Sequence, residues 1–192
     1  MKGESGIFTF CAGQSVYIRV IGRGSFQNSR PLERFTANMI ESGCRQFVLD
    51  LEQCAGMDST FMGVLTGVGI FLRQQVPPGI VHVIRAGSHN REVLKSLWLD
   101  RLFRVTADGE EQAGLAPPTG ADFLKLPDSD LSCGARPFPR EEIREVMLTA
   151  HDDLIRADCR NAPKFSDVTR QLREDSPPPQ MAKPESDSSK RS

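Results

Sequence analysis

Apolar residues in the first hundred positions fall into short runs punctuated by Gly, Pro, Ser and Asn, and each run has a readable period. Val16-Tyr17-Ile18-Arg19-Val20-Ile21 reads as a strand closed by a turn at Gly22-Arg23-Gly24, with Ile7-Phe8-Thr9-Phe10 as its hairpin partner across Gly13-Gln14. Ser29 and Pro31 supply helix-start chemistry, a capping hydroxyl and a ring whose missing N–H costs nothing in a first turn. Leu32, Phe35, Met39 and Ile40 then repeat at helical spacing, and Gly43 gives the stop. Phe47-Val48-Leu49-Asp50-Leu51 is a nearly continuous apolar run, as in a strand buried on both faces. A loop follows, and a helix is predicted from Asp58-Ser59 towards Gln75, apolar on nearly every side and therefore buried.

Ile80-Val81-His82-Val83-Ile84 reads as a further interior strand. Asn90 is placed to cap a helix carrying Val93, Leu94, Leu97 and Trp98, and Leu102-Phe103-Arg104-Val105 reads as a last short strand. Strands alternating with helices predict an α/β domain, a mixed and largely parallel sheet covered by α-helices. Residues 1–113 form this domain, and a Pro/Gly-rich connector spans 114–139. A helical extension over 140–173 carries one stripe at Ile143, Val146, Met147, Ala150, Leu154 and Ala157, and a shorter one at Phe165, Val168 and Leu172. The stripes must be buried against the domain or a partner, and packing back is expected because a bare stripe is a solubility liability. Residues 174–192 are too poor in apolar side chains to offset the entropy of ordering and are expected to be disordered.

The chemistry-bearing segment is Met57-Asp58-Ser59-Thr60-Phe61-Met62 behind the buried strand. Asp58 suits an N-cap, which is a structural role in itself. Ser59 and Thr60 then fall in the first turn, where free N–H groups and the helix dipole favour anions. A phosphate on Ser59 would be tolerated there and would add nearly two negative charges to the surrounding surface. On position alone, Ser59 reads first as a plain first-turn serine, the phosphate acceptor being the second reading.

The strand–loop–helix Phe47–Leu51, Met57–Leu65 resembles the STAS domain of bacterial anti-sigma factor antagonists. In that family an apolar strand ends in Asp-Leu, then comes Asp-Ser-Ser/Thr-Gly, then Leu-Gly/Ala-Val-Leu. The resemblance extends to Val16–Gly22, to Asn90–Leu94 and to Leu99–Val105, covering residues 7 to 113. It implies a STAS-type fold and a regulator without catalysis of its own. The unphosphorylated form would bind an anti-sigma factor of the serine-kinase type, and phosphorylation of Ser59, or of Thr60 as second choice, would end that binding. Asp58, Ser59, Thr60, Phe61 and Met62 would form the partner-binding segment. The family's Gly is Phe61 here, a bulky ring that, if exposed, would anchor a partner. The alternative is a constitutive STAS adaptor that docks to a transporter or signalling assembly without a phosphate switch.

Composition narrows the field. With 24 basic and 25 acidic side chains the chain carries no cationic excess for nucleic acid. The apolar stretch Phe61–Leu72 is shorter than the roughly 20 residues of a membrane span, and no apolar signal core follows Met1. Five scattered cysteines without a C-x-x-C pair fit a reducing compartment, so a cytoplasmic location is expected. Three scattered histidines give no zinc spacing; no metal, cofactor or catalytic residue is expected. Weaker candidates have ordinary readings. Gly22-Arg23-Gly24-Ser25 lacks the phosphate-loop pattern and reads as a turn. Gly63, Gly67 and Gly69 are read as permitting close helix–sheet approach. Asp50 is read as hydrogen-bonded at a strand end, Cys54 as a loop thiol open to oxidation, and His151, beside Asp152 and Asp153, as part of a solvated face. An enzyme built on Asp58 or Cys54 is remote, because no histidine or metal pattern accompanies them in sequence.

Overall fold

The computed structural model describes residues 4–106, 115–117, 120–127 and 139–175. The chain opens with the expected hairpin, β1 (Gly6–Ala12) against β2 (Ser15–Gly24). Next come α1 (Phe26–Glu41), β3 (Gln46–Asp50), β4 (Cys54–Met57), α2 (Ser59–Arg73), β5 (Ile80–Ile84) and α3 (Ser88–Ser96). Then follow two-residue strands β6 (Arg104–Val105) and β7 (Leu124–Lys125), and finally α4 (Arg140–Ala157) and α5 (Ala162–Glu174). The strand order is β6-β5-β3-β2-β1-β7. Neighbours from β6 to β2 run parallel; β1 and β7 add antiparallel strands at one edge. The sheet is thus mixed and largely parallel, as the pattern of runs predicts.

Its two faces are covered differently. Alternation sends Val16, Ile18, Val20, Phe47, Leu49, Val81 and Val83 into one core with all the helices. Tyr17 and Val48 point the other way, into a small cluster with Leu115 and with Phe10, Ile84 and Phe123 beside it. One face is therefore helical, and the other is closed by side chains of the connector. The connector also supplies β7, which lies on β1 at Phe8 and Thr9; the expected featureless link contains a strand. Within the extension, α4 and α5 do pack back, burying Val146, Ala150 and Leu154 in the main core. The fully buried Asn161 fastens their junction by donating to the carbonyls of Leu97 and Leu154, both at 2.9 Å. The expectation for residues 176–192 lies outside the described residues.

Local corrections have physical causes. The strand does not close at Gly22-Arg23-Gly24: β2 runs through Gly24, and β4, read as loop, pairs with its end across a bulge at Gly22, whose φ is +81°. Helix α1 starts three residues before Ser29, with Ser25 as N-cap, and Pro31 sits inside it, adding no amide to the ladder. Gly43, at φ +91°, ends that helix as read. The cap of α3 is Gly87; Asn90 lies within the helix and donates instead to the Cys54 carbonyl at 2.9 Å. Only Arg104 and Val105 of the last predicted strand pair with β5; Leu102 and Phe103 instead form the bend that leaves a 3-10 turn at Leu99–Arg101.

Helix α2 crosses the helical face as expected, with Phe61, Leu65 and Leu72 almost fully buried. Leu65→Ala should cost about 2–5 kcal/mol, the range for deleting a buried leucine. Urea denaturation checks it, and a loss below ~1 kcal/mol would contradict this packing.

Candidate functional site

Asp58 does more than cap one helix. Its Oδ1 accepts from the Phe61 amide at 2.9 Å, the N-cap bond of α2, and its Oδ2 accepts from the Phe26 amide at 2.8 Å, in the first turn of α1. Its own amide donates to the Gly24 carbonyl at 3.0 Å. One carboxylate thus joins two helix N-termini at the end of β2, and both termini present the positive end of a dipole. Ser59 is the next residue, half-buried, in the first turn of α2.

The Ser59 hydroxyl meets His151 of α4. Ser59 Oγ lies 2.9 Å from His151 Nε2, and His151 Nδ1 lies 2.6 Å from the Met147 carbonyl. A carbonyl only accepts, so Nδ1 carries a proton; in the neutral ring Nε2 then accepts the Ser59 O–H. His151 is buried, stacked at a tilt on Phe165 with ring centroids 5.3 Å apart. The expected solvated face is therefore wrong. His151 follows Met147 by four residues and precedes Leu154 by three, so it belongs to the stripe that packs inwards.

Small residues let α4 come this close. Ser59, Gly63 and Gly67 succeed one another at four-residue spacing on α2. A Cβ on Gly63 would collide with the Ala150 backbone, and one on Gly67 would collide with the Asp153 carboxylate. These two glycines serve a helix–helix contact, not the helix–sheet contact read from sequence. Gly69 differs, its free side facing Phe103 and Leu102.

The structure separates the other candidates. Thr60, Phe61 and Met62 are buried, so none of them presents a side chain to solvent, and Phe61 is not an exposed anchor. Its ring fills the space above Gly24, where a Cβ would overlap it. A large residue at 61 is thus accommodated by a missing side chain on β2. Asp50 lies at a strand end as read, accepting from Arg19 Nε at 2.9 Å and from the Arg85 guanidinium. Cys54 stands in β4 with its thiol towards the Gly56 carbonyl, and burial pushes its pKa up, which disfavours the reactive thiolate. Among the described residues no group of His, Cys, Asp and Glu is arranged to hold a metal ion. A serine beside a histidine oriented by a third group also resembles a nucleophile and its base. Neither Ser59 nor His151, however, lines the 310 Å³ cavity between α1, α2 and α4.

No family model matches the chain, and no curated protein matches it. Solved structures do. The anti-sigma factor antagonist SpoIIAA in its unphosphorylated form aligns over 50% of this chain and 97% of its own, at 16% identity and a TM-score of 0.41. The Bacillus cell fate determinant SpoIIAA in the phosphorylated form aligns over 54% and 93%, at 16% identity and 0.45. A candidate anti-sigma factor antagonist from Thermotoga maritima aligns over 53% and 86%, at 15% identity and 0.47. The likeness is one of fold. It spans about half of this chain. No helix among the described residues is long and apolar enough to cross a membrane.

Proposed function

We propose that this chain is a STAS-type regulatory protein that binds an anti-sigma factor of the serine-kinase type and is switched by phosphorylation of Ser59. The observation that carries the reading is the setting of the Ser59 hydroxyl: half-buried, in the first turn of α2, beside two helix N-termini and within reach of one imidazole. Helix termini favour an anion there, and a protonated His151 would pair with it. The 2.9 Å contact leaves no space for a phosphate between Oγ and Nε2, so modification would break the present hydrogen bond and disturb the seat of α4. Binding and release of a partner would then be read out through α4 as well as through the added charge. Thr60, being buried, is the poorer acceptor.

The test uses the partner captured on the full chain, titrated against wild type, Ser59→Ala and Ser59→Asp, with intact-mass measurement after incubation with that partner and ATP. Ser59→Asp should bind at least tenfold more weakly, a loss of about 1.4 kcal/mol. Ser59→Ala should bind and gain no phosphate. Equal affinities for all three, with no phosphate on wild type, would remove the switch and leave the constitutive adaptor.

A further inference from the structure

A cavity of about 310 Å³ opens between α1, α2 and α4, at the lower end of the ~300–1,000 Å³ typical of small-molecule sites. Its floor is apolar, built from Ile40, Val64, Val68, Val146 and Ala150, and the half-exposed Phe71 ring stands at its mouth. Its charged lining is one-sided: Glu33, Glu41 and Asp153 against Arg156 alone.

The carboxylates are not equally satisfied. Glu33 pairs with Arg30 at 2.6 Å. Glu41, exposed at the last turn of α1, has no ion pair among the described residues. Asp153 is 8% exposed. Its Oδ1 accepts from Arg156 at 2.8 Å, while its Oδ2, turned towards Gly67, accepts no hydrogen bond among the described residues. Burial raises the Asp153 pKa, and the Arg156 guanidinium only partly opposes it. That oxygen keeps a little contact with solvent and has no donor from the protein, so a further cation beside it would be paired at little cost in desolvation.

We propose that this cavity binds a small organic cation with an apolar body, an alkyl- or aralkylammonium, whose ammonium lies between Asp153 Oδ2 and Glu41 and whose body rests on Val64, Val68 and Ala150. An ammonium supplies the donors that Oδ2 lacks, and its charge answers the acidic lining. The apolar body removes Val64 and Val68 from their remaining contact with water. Arg156, exposed on its outer side, can stay on Oδ1 while the guest takes Oδ2. Since α4 forms one wall, an occupant binds only the chain with α4 seated and adds to its stability by mass action.

Calorimetric titration of the full chain with phenethylammonium, 2-phenylethanol and phenylacetate tests this, with methyl NMR of Val64, Val68 and Ala150 reporting the place. The ammonium should bind about tenfold more tightly than the alcohol, as a charge-assisted contact predicts, and phenylacetate should not bind. Asp153→Asn should bring the ammonium down to the affinity of the alcohol and leave the alcohol unchanged. Glu41→Gln, an exposed change that does not touch the fold, should weaken the ammonium alone and serves if Asp153→Asn melts early. Equal binding of all three probes, no binding by any, shifts confined to other methyls, or ammonium affinity indifferent to both substitutions would each overturn the proposal. None of these outcomes depends on Ser59.

Discussion

Removing residues 140–175 should lower stability by about 5 kcal/mol or more, on the scale of a whole domain's margin. Helix α4 buries Val146, Ala150 and Leu154 in the main core, and its departure would bare Val64 of α2 together with the backbone at Gly63. Each Val or Leu returned to water costs roughly 1.5–3 kcal/mol, and several are returned at once on both sides of the seam. The extension is therefore a working part of the core, despite the proline-rich connector that separates it in sequence. Thermal unfolding with a dye that reports exposed apolar surface checks this. A truncated chain that melts where the full chain melts would show that α4 is a passenger.

Gly63→Leu should have a comparable effect by a different route. A side chain there meets the carbonyl carbon and oxygen of Ala150, and a backbone cannot step aside as a flexible side chain can. Overpacking typically costs 1–3 kcal/mol, and about 3 kcal/mol or more is expected here because the whole of α4 must lift. Gly63→Ala should lose less. In a chain already lacking residues 140–175, Gly63→Leu should cost almost nothing further, the non-additivity expected of two changes that break one contact. The same substitution should free Ser59 from His151, measurable as faster amide exchange in the first turn of α2. Full additivity of truncation and substitution would refute a shared seam.

What the sequence made legible follows from how much pattern each feature carries. Runs such as Phe47–Leu51 and Ile80–Ile84 announce themselves because they are buried on both faces, and Asp58 announces α2 because an acidic cap before an apolar helix has few other readings. Strands of two to four residues, β4 and β7, are too short to show a period. The start of α1 is ambiguous in sequence because Ser25 and Ser29 are both capping residues, and Pro31 favours the later one. The choice is made by Asp58, 32 residues away, which takes the Phe26 amide. His151 was hidden by its acidic neighbours, although its spacing from Met147 and Leu154 placed it on the inner stripe. The run Ser59, Gly63, Gly67 was equally visible as a line of small residues, but nothing local says whether a sheet or a helix lies opposite. That is decided by where α4 returns.

The outermost strands of the sheet have a bearing on how copies of this protein treat one another. Both β6 and β7 are dipeptides, and β7 lays Lys125 across Phe8 near the middle of the seven-residue β1. A second molecule seeking to extend the ladder from β1 would have to displace that lysine and the bond from the Leu126 amide to the Ile7 carbonyl. Among the described residues, neither margin offers a long row of vacant peptide groups on which stacking from copy to copy could begin. With a formal net charge of −1 there is little mutual repulsion to keep the chains apart. Resistance to fibrous aggregation in a crowded solution thus falls to two short strands, one of them from the connector.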